Sequence, residues 1–330
     1  MQLSAKVKFF LNYFIGPLLF LGIAFSIYKQ VSDQPELGKH WLHIKERLGI
    51  QTFQYAITAF LLMVINWGIE SKKWQILTSH LQSITFWGAL KSVMAGVSFT
   101  MLTPNRMGEF LGRVLYLPDG SRIRAATLTF LSSISQLLIT LSAGVAGLLL
   151  LKYWAPQLRY ETDGWNGLLV QVILYIAAAS IVVSLLIYFN IGWLIRQIEK
   201  FPPFAKYAFY VHLIGEINYK ELLKLIGLST LRYGVFILQY LLIFQFFDIG
   251  ISFEKIVACT AVMFLILAML PTIALAELGI RGKVSLFVFG LFSTDSLEIL
   301  VATAVIWFIN IIFPAIVGSF LLLSIKLFRK

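Results

Sequence analysis

The chain has 330 residues, 59% of them hydrophobic and 13% charged, with a mean hydropathy of +0.83. A soluble domain carries about 25% charged residues, so this composition excludes a water-soluble globular protein and points to an integral membrane protein throughout. The net charge of +11 fits basic loops against anionic headgroups, and no basic soluble module is present that would suggest nucleic-acid binding.

Six apolar runs are long enough to cross a bilayer, at about 9–28, 52–68, 125–151, 167–189, 225–247 and 298–325. The first, Phe9 to Tyr28, is too long for a signal-peptide core and lacks an Ala-x-Ala cleavage pattern, so it reads as a retained span. Segment 29–50 reads as an amphipathic surface helix, with Trp41, Leu42, Ile44 and Leu48 on one side. Two further regions, about 84–116 and 255–292, are apolar but interrupted. Each fits either a hairpin that dips into the membrane or two crossings. Loop 190–224 suits an interfacial helix broken at Phe201-Pro202-Pro203-Phe204. The lone Cys259 sits in an apolar run and reads as a packing residue. His40 and His43 lie three apart but have no further ligands beside them, so no metal site and no cofactor is expected.

The interruptions in the two irregular regions match each other. Met101-Leu102-Thr103-Pro104-Asn105-Arg106-Met107-Gly108-Glu109 runs on to Arg113. Met269-Leu270-Pro271 runs on through Glu277, Gly279 and Arg281 to Lys283. Glu109 and Glu277 lie 168 positions apart, close to half the chain. A helix breaker followed by opposite charges inside an apolar region is the pattern of broken helices around a polar site.

Charge asymmetry orients these regions. Lys6 and Lys8 precede the first run, and Lys326, Arg329 and Lys330 follow the last, so both termini read as cytoplasmic. The segments near Lys72 and Lys73, near Arg122 and Arg124, and loop 190–224 also read as cytoplasmic, while the loops near Asp248 and Asp295 read as external. Region 84–116 then starts and ends inside, and region 255–292 starts and ends outside. The expected fold is an all-α integral membrane protein of about six full spans and two re-entrant or broken-helix hairpins. It forms one polytopic domain over 1–330, with inverted-repeat halves of about 1–166 and 167–330. Segment 29–50 departs from this scheme, because an external loop should not carry Lys29, Lys39, Lys45 and Arg47.

Ionisable groups inside the membrane cost about 2.5–3.5 kcal/mol each and need a partner or a wet cavity. The candidates are Lys91, Arg106, Glu109, Arg113, Arg232, Glu277, Arg281 and Lys283. On a helix, Glu109 falls between Arg106 and Arg113 on one face, a net positive site suited to a lipid phosphate. Glu277 and Arg281 repeat the four-residue spacing. The alternative for these pairs is a purely structural role that pins the fold, and Arg232 and Lys91 fit either a site role or snorkelling to the headgroups. Among neutral groups, Ser132, Ser133, Ser135, Gln136, Gln239 and Asn310 either bond helices together or line a pathway, and Pro314 should kink the last run.

These motifs resemble the transmembrane, flippase-like domain family of lysylphosphatidylglycerol synthases. The resemblance rests on Thr103-Pro104-Asn105-Arg106-Met107-Gly108-Glu109 with Arg113, similar to a P-x-R-x-G-E-x-x-R element. It rests also on Ala276-Glu277-Leu278-Gly279-Ile280-Arg281-Gly282, on Asn66-Trp67 with Trp74, and on the closing Asn310, Pro314 and Gly318. Two departures stand out. Ala276-Glu277 replaces the family's paired glycines, and Gly282 replaces its acid after the arginine. The resemblance implies a lipid-handling membrane domain in the plasma membrane. No aminoacyl-transferase domain follows the last run, so it does not imply synthesis.

The expected function is binding or flipping a phosphate-bearing lipid, either a phospholipid or a polyprenyl-phosphate carrier. Arg106, Glu109, Arg113, Glu277, Arg281, Gln136 and Asn310 are the candidate site. A separate lipid-synthesising enzyme and an oligomeric state remain open as partners. The alternatives are a membrane transferase acting on a lipid-linked substrate and an ion-coupled transporter of a small solute. The chain has five Asp, none paired, which argues against metal-assisted transfer and for a protein that is not an enzyme.

Overall fold

The computed structural model describes residues 50–100, 108–117, 121–154, 165–200, 217–270 and 274–323, together with Thr103 and Gly215. All regular structure among these residues is helical. Among the described residues, four helices are long and apolar enough to cross a membrane: Thr52–Thr78, Arg122–Trp154, Tyr219–Phe246 and Ser296–Leu321. The run at 9–28 and the surface helix with His40 and His43 lie outside the described residues.

Helix α1 spans Ile50–Thr78. The apolar run at its start has no proline to stop it, and the helix continues past Gly68 through the charged stretch that follows. Ser71 and Thr78 donate to carbonyls four residues back, at Trp67 and Trp74. Lys73, expected in a cytoplasmic loop, is instead buried on this helix and pairs with Glu70 three residues earlier at 3.5 Å. Its charge is satisfied inside the fold and does not mark a membrane face. Large apolar side chains (Phe53, Ile57, Leu61 and Val64) form an outward stripe, which suits lipid contact.

Helices α2, Phe86–Thr100, and α3, Gly108–Val114, form the first hairpin. At 15 and 7 residues they reach about 22 and 10 Å, short of a hydrocarbon core of about 30 Å. Glycines let their backbones meet. A Cβ on Gly112 would lie 2.3 Å from the Gly96 nitrogen, and one on Gly108 would lie 2.1 Å from the Phe99 carbonyl oxygen. Thr103 closes the turn: its hydroxyl donates to the Phe99 carbonyl at 3.1 Å and accepts from the Gly108 N–H at 2.6 Å.

Helix α4, Arg122–Trp154, follows the hairpin. Then come α5, Trp165–Phe189, and the short α6, Ile191–Glu199. Helix α7, Tyr219–Phe246, begins at Asn218, whose side chain accepts from the Glu221 N–H, an N-cap. The second hairpin is α8, Phe253–Met269, with α9, Ala274–Phe289. Cys259 packs in the core there, its thiol 3.5 Å from the Val288 carbonyl. The last segment runs as α10, Ser296–Trp307, a wide π turn at Phe308–Ile312, and α11, Phe313–Leu323. The irregularity lies just ahead of Pro314, where the ring would collide with the carbonyl of Asn310. The wider turn relieves that clash.

Three packings hold the elements together. Helices α1 and α7 run antiparallel: Gln239 donates to the Ala59 carbonyl at 2.9 Å, while Arg232 bonds Asn66 at 2.6 Å. Helix α4 packs on α8 through Gly144 and Gly147, whose added Cβ atoms would lie 2.5 Å from Leu265 Cβ and 2.8 Å from the Ala258 oxygen. Helix α11 packs on α2 through Gly318, where a Cβ would lie 2.0 Å from the Met94 oxygen, and Ser98 donates to the Ala315 carbonyl at 2.7 Å. Each helix that follows a hairpin therefore packs on the first arm of the other hairpin.

Candidate functional site: a polar cavity between the hairpins

The buried carboxylate with the most partners among the described residues is one the sequence does not single out. Glu70 on α1 is 3% exposed and accepts from partners on three other elements and its own. Arg113 Nη2 on α3 reaches Oε1 at 2.7 Å, and Arg232 Nη1 on α7 reaches Oε2 at 2.8 Å. Lys73 Nζ lies 3.5 Å from Oε2, and the Ser132 hydroxyl on α4 lies 3.5 Å from Oε1. Lys73 also donates to the Ser132 carbonyl at 3.4 Å. A buried carboxylate with this many donors needs no water.

Arg113 joins this hub to the first matched motif, since the same Nη2 also pairs with Glu109 one turn earlier on α3. Its guanidinium sits 5.4 Å over the Trp74 ring, and its side chain is 1% exposed. Trp74 is fixed in turn, donating to Ser92 Oγ at 3.0 Å, and Ser92 donates to the Arg113 carbonyl at 2.7 Å. Arg113 is thus enclosed between two carboxylates. Arg106, Pro104 and Pro271 lie outside the described residues.

In the second motif, Arg281 Nη2 bonds Glu277 Oε1 at 2.8 Å, one turn apart on α9. Tyr240 on α7 places its hydroxyl beside this arginine. Phe264 on α8 lies under the guanidinium, 6.0 Å from carbon to ring centroid.

The two motifs face a common cavity of about 590 Å³. Glu109, Gln136, Glu277, Arg281 and Asn310 all line it, and so does Arg232. Five of the expected site residues are therefore brought together, while Arg113 stands behind the wall. Arg232 is held at the wall by Asn66 through Nε and by Glu70 through Nη1, and its Nη2 has no partner among the described residues. Trp67 and Phe236 flank its guanidinium at 5.1 and 5.6 Å. Asn310 uses its amide nitrogen on the Ile306 carbonyl at 3.0 Å, the acceptor that α-helical register would give to its own N–H. The rest of the wall is largely apolar and aromatic, including Tyr233, Phe264, Leu267 and Ile306.

Other polar candidates bond helices together. Ser135 bonds Ser229 at 2.9 Å between α4 and α7, and Gln239 serves the α1–α7 contact. Lys91 and Lys283 are exposed. No group of three or more His, Cys, Asp or Glu suited to a metal occurs among the described residues. Glu70 left one trace in the sequence, an acid inside a helix-compatible stretch beside Lys73. Its partners lie 43 and 162 positions away, and no local pattern reports them.

An all-helical bundle with outward apolar faces and a buried, charge-lined cavity defines a polytopic membrane protein with an internal polar site. The chain belongs to the family of the lysylphosphatidylglycerol synthase TM region, whose model matches residues 14–318, nearly the whole length. Comparison with curated proteins and with solved structures gives no match. The family relates the chain to lipid handling.

Proposed function

We propose that this protein binds a phosphate-bearing lipid by its headgroup in the cavity between the hairpins and carries it between leaflets, without chemical change. The observation that carries this reading is Arg232, set among aromatic rings on the wall with one terminal nitrogen unpartnered among the described residues. A guanidinium on an apolar wall is a strong donor to a phosphate oxygen. The lipid is a phospholipid or a polyprenyl phosphate, supplied by a separate synthesising enzyme. We place the protein in the plasma membrane with both termini cytoplasmic.

The two halves act as an inverted repeat. The order long helix, hairpin, long helix occurs twice, as α1–α2–α3–α4 and as α7–α8–α9 with the α10–α11 segment. The corresponding helices α1 and α7 cross antiparallel, and the two swapped packings, α4 on α8 and α11 on α2, both run through glycines. A two-fold axis in the membrane plane relates such pairs, and rocking of the halves about it exposes a midplane site to either side.

The test is leaflet exchange of fluorescent phospholipids in vesicles containing the purified protein. Arg232→Ala should slow exchange and weaken lipid binding by about tenfold or more, the loss of a charge-assisted bond of about 1.5–3 kcal/mol. Exchange at the protein-free rate with wild type, or unchanged exchange in Arg232→Ala, sinks the reading.

A further inference from the structure

We propose that the headgroup bound in the cavity is a sugar-sized polyol, recognised through its hydroxyls by Trp67, Gln136, Tyr233, Trp307 and Asn310. This rests on the lipid reading above and names the substrate class of the same site.

The side chains lining the cavity carry five neutral polar atoms that are buried and have no partner among the described residues. Two are indole donors, Trp67 Nε1 on α1 and Trp307 Nε1 at the end of α10. Two are amide acceptors, Gln136 Oε1 on α4 and Asn310 Oδ1 in the π turn. The fifth, the Tyr233 hydroxyl on α7, does either. The Asn310 amide is held one way round by its bond to the Ile306 carbonyl, so its oxygen is the end left over. A buried polar group without a partner is costly, and folded proteins keep few of them. Five on one cavity, contributed by α1, α4, α7 and the last segment, mark a surface built to bond a ligand.

The mixture selects the chemistry. Phosphate oxygens only accept and an ammonium only donates, so either would leave part of the set unpaired. A hydroxyl donates and accepts, and several on one scaffold serve indoles and amides together. The wall around these atoms is aromatic, with Phe236, Tyr240 and Phe264 beside the two tryptophans and Tyr233. Electron-rich ring faces suit the C–H faces of a sugar or inositol ring. The volume of about 590 Å³ leaves room beyond a phosphate, since sites of about 300–1,000 Å³ enclose ligands of drug size. The set adjoins the phosphate anchor, because the Arg232 guanidinium lies 5.1 Å from the Trp67 ring centroid. The five atoms sit within the wall, and side-chain rotation, a common local response to binding, turns them to the hydroxyls.

The experiment measures binding of three lipids to full-length protein in phosphatidylcholine nanodiscs. All three are phosphodiesters with the same acyl chains and the same single charge, so net charge does not enter the comparison. Phosphatidylinositol presents several hydroxyls on a ring, phosphatidylglycerol fewer on a short chain, and phosphatidylpropanol none. Wild type should bind phosphatidylinositol about tenfold or more tighter than phosphatidylpropanol, with phosphatidylglycerol between them. Equal binding of phosphatidylinositol and phosphatidylpropanol means that water serves these atoms, and it overturns the proposal. Phosphatidylglycerol bound as tightly as phosphatidylinositol overturns the sugar-sized ligand.

Variants test the residues. Gln136→Leu with Asn310→Leu removes both amide acceptors and should lower the ratio of phosphatidylinositol to phosphatidylpropanol affinity by about fivefold or more. Trp307→Phe keeps an aromatic ring, removes one donor and should lower the ratio by about threefold. Variants that weaken all three lipids alike and leave the ratio unmoved have lost only structure, which overturns the proposal. The wild-type comparison decides even where a variant fails to fold. Arg232→Ala separates the two readings. Equal wild-type binding of the three lipids, all lost in Arg232→Ala, keeps the phosphate site and removes only the polyol claim; no binding of any of them to wild type removes both.

Discussion

The two hairpin sites share a plan and differ in one partner. In each, a glutamate on the second arm pairs with an arginine one turn later, Glu109 with Arg113 and Glu277 with Arg281. In each, the preceding long helix sends a third group to the arginine. On α1 that group is the carboxylate of Glu70, and on α7 it is the phenol of Tyr240. A carboxylate draws further cations, so the first site has become a closed ionic cluster with Lys73 and Arg232. A phenol draws none, so Arg281 keeps one ion pair among the described residues, with Glu277, and lines the cavity. One substitution in an otherwise matched frame turns an arginine from a ligand-side group into a structural one.

The largest test of this contrast removes each arginine in turn. Arg113→Ala leaves Glu109 without its cation and strips one from Glu70, and it should cost about 3–5 kcal/mol of stability. Arg281→Ala, at the cavity edge, should cost about 1–3 kcal/mol. Thermal unfolding in detergent measures both, and equal losses would break the comparison. A middle-sized effect tests the swapped packings. Gly318→Ala drives a Cβ into the Met94 carbonyl and should cost about 3 kcal/mol, whereas Gly144→Ala meets the Leu265 Cβ, which its own backbone holds, at a longer approach and should cost about 2 kcal/mol. The reverse order would mean that α11 has more freedom than its contacts with α2 suggest. The smallest effect should come from Tyr240→Phe, which removes the hydroxyl beside Arg281 at a cost of about 0.5–1.5 kcal/mol and leaves lipid preference unchanged. A change in lipid preference there would mean that the second site also reads the headgroup.

Much of the frame is legible in the sequence for a local reason. Length of apolar run, helix breakers and four-residue spacing are properties of neighbouring residues, and they mark the long helices, the two interruptions and both Glu–Arg pairs. The run at 125–151 became Arg122–Trp154, and that at 225–247 became Tyr219–Phe246. Hydropathy stopped the second run at 68 because charges follow, although helix α1 continues to Thr78. Those charges were satisfied by contacts that hydropathy does not register.

What only the tertiary structure decided is which charges meet. Glu70 finds Arg113 and Arg232 because α1 packs beside the first hairpin and crosses α7 antiparallel, with partners 43 and 162 positions away. The same packing took Arg113 out of reach of a ligand and set Arg232 at the cavity. The sequence by itself determined an all-helical membrane protein with two broken, charged segments, because chain-local patterns govern insertion and helix breaking. The assignment of structural and ligand-facing charges belongs to the fold, because burial and pairing depend on neighbours that only packing brings together.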